Sequence, residues 1–189
     1  YIVNNFMHLN YEIYYFIDSF NFKDLSNINK RINIIYRNYS KKNDLDDINR
    51  IKEICKKKGL KLFISNNLKL ALKLDLDGLY LPSFNKKLKY KNIACKKKFK
   101  LIGSAHNISE INNKNKQGCS EIFISPIFMT PNHKNHLDTI KFNLLSVNIK
   151  NKVVALGGIN FSNFFRLKLT KSKGFASISW IKKNGLNEI

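Results

Sequence analysis

A chain of 189 residues with 43% hydrophobic and 12% aromatic content is long enough for one substantial core. Its net charge of +21 points to a polyanionic partner or to a general excess of Lys, Asn and Ile. The lysines fall on helix faces and loop tips (Lys56-Lys57-Lys58, Lys86-Lys87, Lys96-Lys97-Lys98) rather than in one aromatic-interleaved stripe, which makes nucleic acid the lesser expectation. No apolar run is long enough for a membrane span, and residues 1–12 lack the order of a signal peptide. Three scattered cysteines (Cys55, Cys95, Cys119) argue against a disulfide framework or a zinc site and for a reducing cytoplasm.

In chain order, Tyr14-Tyr15-Phe16-Ile17-Asp18 reads as a first strand. A brief link holding Leu25 and Ile28 leaves room only for a shortened first helix before Ile32 to Arg37, the second strand. An Arg at the end of a buried strand suits an anion clamp, a structural ion pair being the plainer reading. Asp44 is placed to cap a helix running to Lys58, with Leu45, Ile48, Ile51 and Cys55 at helical spacing and Gly59 just beyond its end. Lys61 to Ser65 is the third strand, Asn66-Asn67 opens a helix through Leu74, and Gly78 to Leu81 is the fourth strand, stopped by Pro82.

A lysine-rich connection leads to Leu101-Ile102-Gly103-Ser104, the fifth strand, after which Asn107 and Glu110 stand as a capping-box-like pair. Gly118 ends that helix, and Glu121 to Ser125 is the sixth strand. The long loop from Pro126 to about Thr139 carries Thr130, His133, Lys134 and His136, and its length suggests a functional segment. Val153 to Leu156 is the seventh strand, followed by Gly157-Gly158 and by Asn160 or Ser162 as a helix cap. A strand, two glycines and a helix start favour phosphate through free amides and the helix dipole; a tight connection and nothing more is the plainer reading. Gly174 to Ile178 is the eighth strand, with Ser179-Trp180-Ile181 leaving little or no final helix.

Eight strands alternating with helices predict an α/β fold, a compact (β/α)8 TIM barrel forming one domain over 1–189 with its core over about 14–181. A doubly wound open sheet is the runner-up. In a barrel the strand C-termini converge on one mouth, bringing together Asp18, Arg37, Ser65, Asn66, Asn67, Tyr80, Ser104, His106, Thr130, His133, Gly158 and Ser179. Phosphate is expected beside the last two units.

Four stretches carry a resemblance: Leu101 to Asn107, Ser125-Pro126-Ile127-Phe128-Met129-Thr130-Pro131, Val153 to Asn160, and Gly174 to Ile181. With Ile35-Tyr36-Arg37 and Asp77 to Leu81, they resemble the thiamine phosphate synthase and thiazole tautomerase (TenI-like) superfamily, in order, from about Tyr14 to Ile181. The resemblance implies an enzyme of thiamine biosynthesis. It would join a pyrimidine methyl diphosphate to a thiazole phosphate with release of pyrophosphate, through a dissociative substitution. By position, Arg37 would grip the diphosphate and Ser104 would donate to it. Thr130, Gly158 and Ser179 would hold the thiazole phosphate, with Gly157 and Asn66 in the same phosphate-binding set.

The family's two Mg²⁺ carboxylates fall on Asn67 and Asn85, neutral and poorer ligands, so the resemblance leaves a Mg²⁺ requirement open. One family lysine falls on Tyr39 and another on His133, with Lys41, Lys42 and Lys134 nearby. The tautomerase branch would instead use His106 as acid and base. The third possibility is a non-catalytic barrel that binds a phosphorylated ligand or nucleic acid. Expected partners are small phosphorylated heterocycles, not membranes; self-association is open.

Overall fold

A computed structural model of the chain describes residues 11–39, 45–90, 93, 98–131 and 134–184. Eight parallel strands close into a barrel in sequence order: β1 (Glu12–Ile17), β2 (Ile32–Tyr36), β3 (Leu62–Ser65), β4 (Gly78–Leu81), β5 (Lys100–Ala105), β6 (Glu121–Ile124), β7 (Lys152–Leu156) and β8 (Gly174–Ser177). The register of the closing pair runs from Glu12 opposite Gly174 to Tyr15 opposite Ser177. Gly174 is needed there, because a Cβ on it would lie 2.4 Å from the Glu12 carbonyl oxygen.

The strands are near-continuous apolar runs because both faces are covered. Alternate residues point inward, and Tyr14, Phe16, Ile35, Phe63, Tyr80, Ile102, Phe123, Val154 and Ala176 fill the barrel. The aromatic rings pack edge to face, with centroids 4.9 Å apart for Tyr14 and Phe123 and 5.2 Å for Phe16 and Tyr80. The residues between them face outward and meet the helices in a second, larger layer.

Among the described residues six helices wrap the sheet: α1 (Phe22–Ser26), α2 (Leu45–Lys58), α3 (Leu68–Lys73), α4 (Ile108–Gln117), α5 (Asp138–Ser146) and α6 (Ser179–Asn184). Helix α1, at five residues, is the shortened first helix. Ile48, Ile51 and Cys55 form the buried stripe of α2 as their spacing predicts, but Leu45, expected in the same stripe, sits at the first position of the helix and is exposed; the proposed cap Asp44 lies outside the described residues, as does Cys95. Helix α4 begins on the Asn107 side chain, whose oxygen accepts from Glu110 N, and ends on left-handed Gly118.

The final helix, α6, is only six residues long, in keeping with the little that the sequence leaves for it. One expectation about helices needs revision. After β7 no α-helix forms; a 3₁₀ segment, Phe164–Leu169, takes its place. No helix among the described residues is long and apolar enough to cross a membrane.

Candidate active site at the C-terminal mouth of the barrel

Alternation along the strands decides which side chains reach the mouth. Ile35 of β2 points inward, and two residues on Arg37 leaves the strand end on the same side. Its backbone N–H donates to the Ile17 carbonyl at 2.7 Å, and its guanidinium lies 4.5 Å over the Phe16 ring and 5.8 Å from that of Tyr39. Tyr80 of β4 lies in the same layer. Burial pushes its hydroxyl up to about 12, while side-chain hydrogen bonding from Ser104 and Arg37 pulls the other way. Tyr80 therefore stays protonated at neutral pH and able to donate.

Two serines complete this layer. Ser104 follows inward-facing Ile102 by two residues and Ser65 follows Phe63 by two; they are 5% and 9% exposed. Ser65 stands opposite Tyr80 in the β3–β4 register, and its hydroxyl is buried without a hydrogen-bond partner among the described residues. Arg37 also lines a cleft of about 160 Å³ between β1, α1 and α6, whose other charged members are Asp18, Asp24 and Lys182.

The residues matched to metal carboxylates behave differently from one another. Asn67 is the N-cap of α3; its side-chain oxygen accepts from Leu70 N at 3.1 Å. Its neighbour Asn66, held at φ +58°, is the residue that meets Asn85. Asn85 Nδ2 donates to Asn66 Oδ1 and, at 3.1 Å, to the Tyr90 hydroxyl, while Asn85 Oδ1 accepts from Lys87 N at 3.0 Å. All three amide oxygens are thus already accepting hydrogen bonds, and none carries the charge that Mg²⁺ coordination favours. Among the described residues no cluster of three or more His, Cys, Asp or Glu could hold a metal. The donor set does not fit Mg²⁺.

The loop carrying Asn85 is clamped from below. Lys114 and Gln117 of α4 are fully buried, and Lys114 Nζ donates to Pro82 O at 2.7 Å, Asn85 O at 3.0 Å and Gln117 Oε1 at 3.0 Å. Gln117 Nε2 donates to the Asn85 and Lys87 carbonyls, both at 2.9 Å. Burial pulls Lys114 down to about 8, yet three acceptors around Nζ favour the ammonium. Nothing in the helical spacing of α4 distinguishes this clamp from ordinary solvated residues. The same holds for Lys69, Lys86, Lys87 and Lys89, which line a cleft of about 540 Å³ together with Asn66, Asn67 and Asn85.

The Gly157-Gly158 turn makes its close approach to protein. A Cβ on Gly158 would lie 2.4 Å from the carbonyl oxygens of Phe128 and Met129, and the Phe128 N–H donates to Gly157 O at 3.1 Å. The glycines therefore seat the β6–α5 loop, which carries half-buried Thr130, against β7. The amides expected to face an anion are partly used locally. Asn160 Oδ1 accepts from Ser162 N at 2.9 Å and Asn163 N at 3.3 Å, and Asn163 Oδ1 accepts from Asn160 N at 2.9 Å. With a 3₁₀ segment in place of an α-helix, the helix-dipole argument for phosphate does not hold at this turn. Ser179 begins α6 at the end of β8 and is exposed.

His106 donates from Nδ1 to the Ser125 carbonyl at 2.8 Å, which leaves Nε2 as the acceptor of the neutral ring. The backbone N–H of His106 donates to Glu110 Oε2 at 2.7 Å, so Glu110 reaches one residue beyond the cap. The histidine lines a cleft between α4 and α5 whose walls include none of Arg37, Tyr80 or Ser104. His133 lies outside the described residues, as do Lys41 and Lys42.

Sequence and fold comparisons place these features in a family. Residues 29–181 match the family described as thiamine monophosphate synthase. A thiamine-phosphate synthase of Prochlorococcus marinus is 31% identical over 137 residues, covering 68% of this chain and 38% of that protein. That of Fusobacterium nucleatum is 27% identical over 154 residues, covering 80% and 75%. The chain thus spans about two fifths of the length of the Prochlorococcus protein and three quarters of the Fusobacterium one. Thiamine phosphate pyrophosphorylase from Pyrococcus furiosus has the same fold, with a TM-score of 0.75 at 19% identity over 96% of this chain and 91% of that one. With a family match extending from just before β2 into α6, the chain belongs to the thiamine monophosphate synthase family.

Proposed function

We propose that the chain is a transferase that joins a pyrimidine methyl diphosphate to a thiazole phosphate, forming thiamine phosphate and pyrophosphate. The observation that carries this reading is the meeting of Arg37, Tyr80 and Ser104 at the mouth of a barrel of this family. In the reaction the methylene carbon–oxygen bond breaks and its electron pair leaves on the diphosphate. The thiazole nitrogen then gives its lone pair to the resulting cation, closing the carbon–nitrogen bond. No proton has to move. The step needs donors preorganised where negative charge develops, which is what a guanidinium and two hydroxyls in a water-poor layer supply.

Arg37 takes the leaving diphosphate in this reading, and its stacking on Phe16 keeps the guanidinium from collapsing into solvent. Ser104 and Tyr80 donate to the same oxygens. Thr130 and Ser179, on the β6–α5 loop and at the head of α6, take the thiazole phosphate. The pyrimidine stacks over the inner aromatic layer. The test is formation of thiamine phosphate from the two substrates by the purified protein. Arg37→Ala is expected to lower turnover by about 10²–10³-fold, the scale for losing one preorganised donor, with an unchanged urea midpoint. Wild-type protein that binds both substrates and yields no thiamine phosphate would overturn the reading.

A further inference from the structure

The cleft between the C-terminal ends of β3 and β4 has a cationic wall and no acidic one. Its charged lining consists of Lys69, Lys86, Lys87 and Lys89, with no carboxylate among the described lining residues. At its back, Asn85 is tied to Asn66 and to Tyr90, and the side-chain oxygens of both asparagines are already accepting. Directly beneath, the buried ammonium of Lys114 holds the Asn85 carbonyl. The volume, about 540 Å³, is that of a small-molecule site.

An aromatic pair links the lysine cleft to the Arg37 cluster. Tyr39, which faces the Arg37 guanidinium, packs edge-on against Phe84 at 5.7 Å, and Phe84 lines the lysine cleft next to Asn85. A polyanion anchored on Arg37 therefore has a run of positive charge to extend into. Lysine is a point-charge phosphate binder that supplies three donors without requiring a metal's coordination geometry. Neutral amides at the two metal positions and a cleft lined with four lysines are two sides of one arrangement.

We infer that this cleft binds a diphosphate through lysine ammonium groups in place of a divalent cation. The inference deepens the reading of the chain as a diphosphate-releasing transferase and rests on it for the physiological source of the diphosphate. Its test does not depend on turnover. Inorganic pyrophosphate is titrated calorimetrically into the full chain in EDTA and again in Mg²⁺. The expected result is binding in EDTA, with a dissociation constant within about threefold of that in Mg²⁺.

The double variant K86A/K87A keeps the backbone groups that Asn85 and Gln117 use, and it is expected to weaken binding about tenfold or more. The charge-matched control K56A/K57A removes two exposed lysines of α2 at the opposite end of the barrel and is expected to change it by no more than about twofold. Binding that requires Mg²⁺, or equal losses in the two double variants, would overturn the inference. Lysine-dependent binding in EDTA alongside a failed synthesis assay would uphold the cleft and sink the reaction.

Discussion

The two ends of the barrel treat polar groups in opposite ways. At the N-terminal end, where the strands begin, the Tyr14 hydroxyl shares its one proton between the carboxylates of Glu121 and, at 2.9 Å, Glu12. Lys100 pairs with Glu121 at 3.2 Å and Lys152 with Glu12 at 2.7 Å. Four of these residues are the first of their strands, and together they plug the barrel with every charge matched. At the C-terminal end Arg37 shares its cleft with Asp18 and Asp24 but forms no ion pair among the described residues, and Ser65 ends in a buried hydroxyl with no partner among them. The closed end serves stability. The open end keeps hydrogen-bonding capacity that a ligand would use, and an unmet buried donor is the form such capacity takes in a free protein.

The sharpest way to break this comparison is to open the closed end. Glu121 is 2% exposed and serves both Tyr14 and Lys100. Glu121→Ala strands Lys100 beside a cavity, and a loss of about 3 kcal/mol in urea unfolding is expected, the low end for breaking a buried pair because Lys100 is partly solvated. Pyrophosphate binding by the folded fraction should be unchanged. A variant as stable as wild type would show that the plug is decorative.

Much of this division was legible in the sequence, but unevenly. The strands stand out because a parallel sheet buried on both faces demands apolar runs, and Val153-Val154-Ala155 or Leu62-Phe63-Ile64 satisfy that with no ambiguity of period. Once eight βα units are counted, the convergence of Arg37, Tyr80 and Ser104 follows from the fold alone. The partner of each polar atom does not follow. Tyr14 and Glu121 are 107 positions apart, and no local pattern links them. The helix expected after Gly157-Gly158 fails because Asn160 and Asn163 bond the turn's own amides, a competition between side chain and helix that propensity does not rank. Lys86 and Lys87 resemble any solvated pair until the β3 terminus is placed across from them. The step from Asn67 to Asn66 as the partner of Asn85 is a one-residue shift across a helix cap, which only coordinates resolve.

At the open end the comparison is sharpened by removing the unmet group. Ser65→Ala deletes a buried hydroxyl that has no partner among the described residues, so the protein should gain about 1 kcal/mol of stability, the scale of a desolvated, unpaired donor. Turnover in the synthesis assay should fall at the same time. A gain in stability with a loss of function is the expected mark of a group kept for a ligand. If Ser65→Ala is destabilising, the hydroxyl has a structural partner and belongs with the closed end.

The smallest effect concerns pH at the plug. Burial pushes the Glu12 carboxyl upward, but hydrogen bonds from Lys152 and Tyr14, with the charges of Lys152 and Lys100, outweigh it and hold it at about 2 against an ordinary value of 4.5. The folded value lies below the unfolded one, so between these limits the unfolded chain binds more protons and stability rises with pH. The contribution of Glu12 is fully present above about pH 4.5 and is lost as the pH falls through about 2. Its side chain is 31% exposed, so solvent screens the pair and the slope should be modest. Urea midpoints measured from pH 5 down to pH 2 should fall less steeply in Glu12→Gln than in wild type. Parallel curves would assign acid sensitivity to other carboxylates, and the matching of charges around Tyr14 would then rest on Glu121 and Lys100 alone.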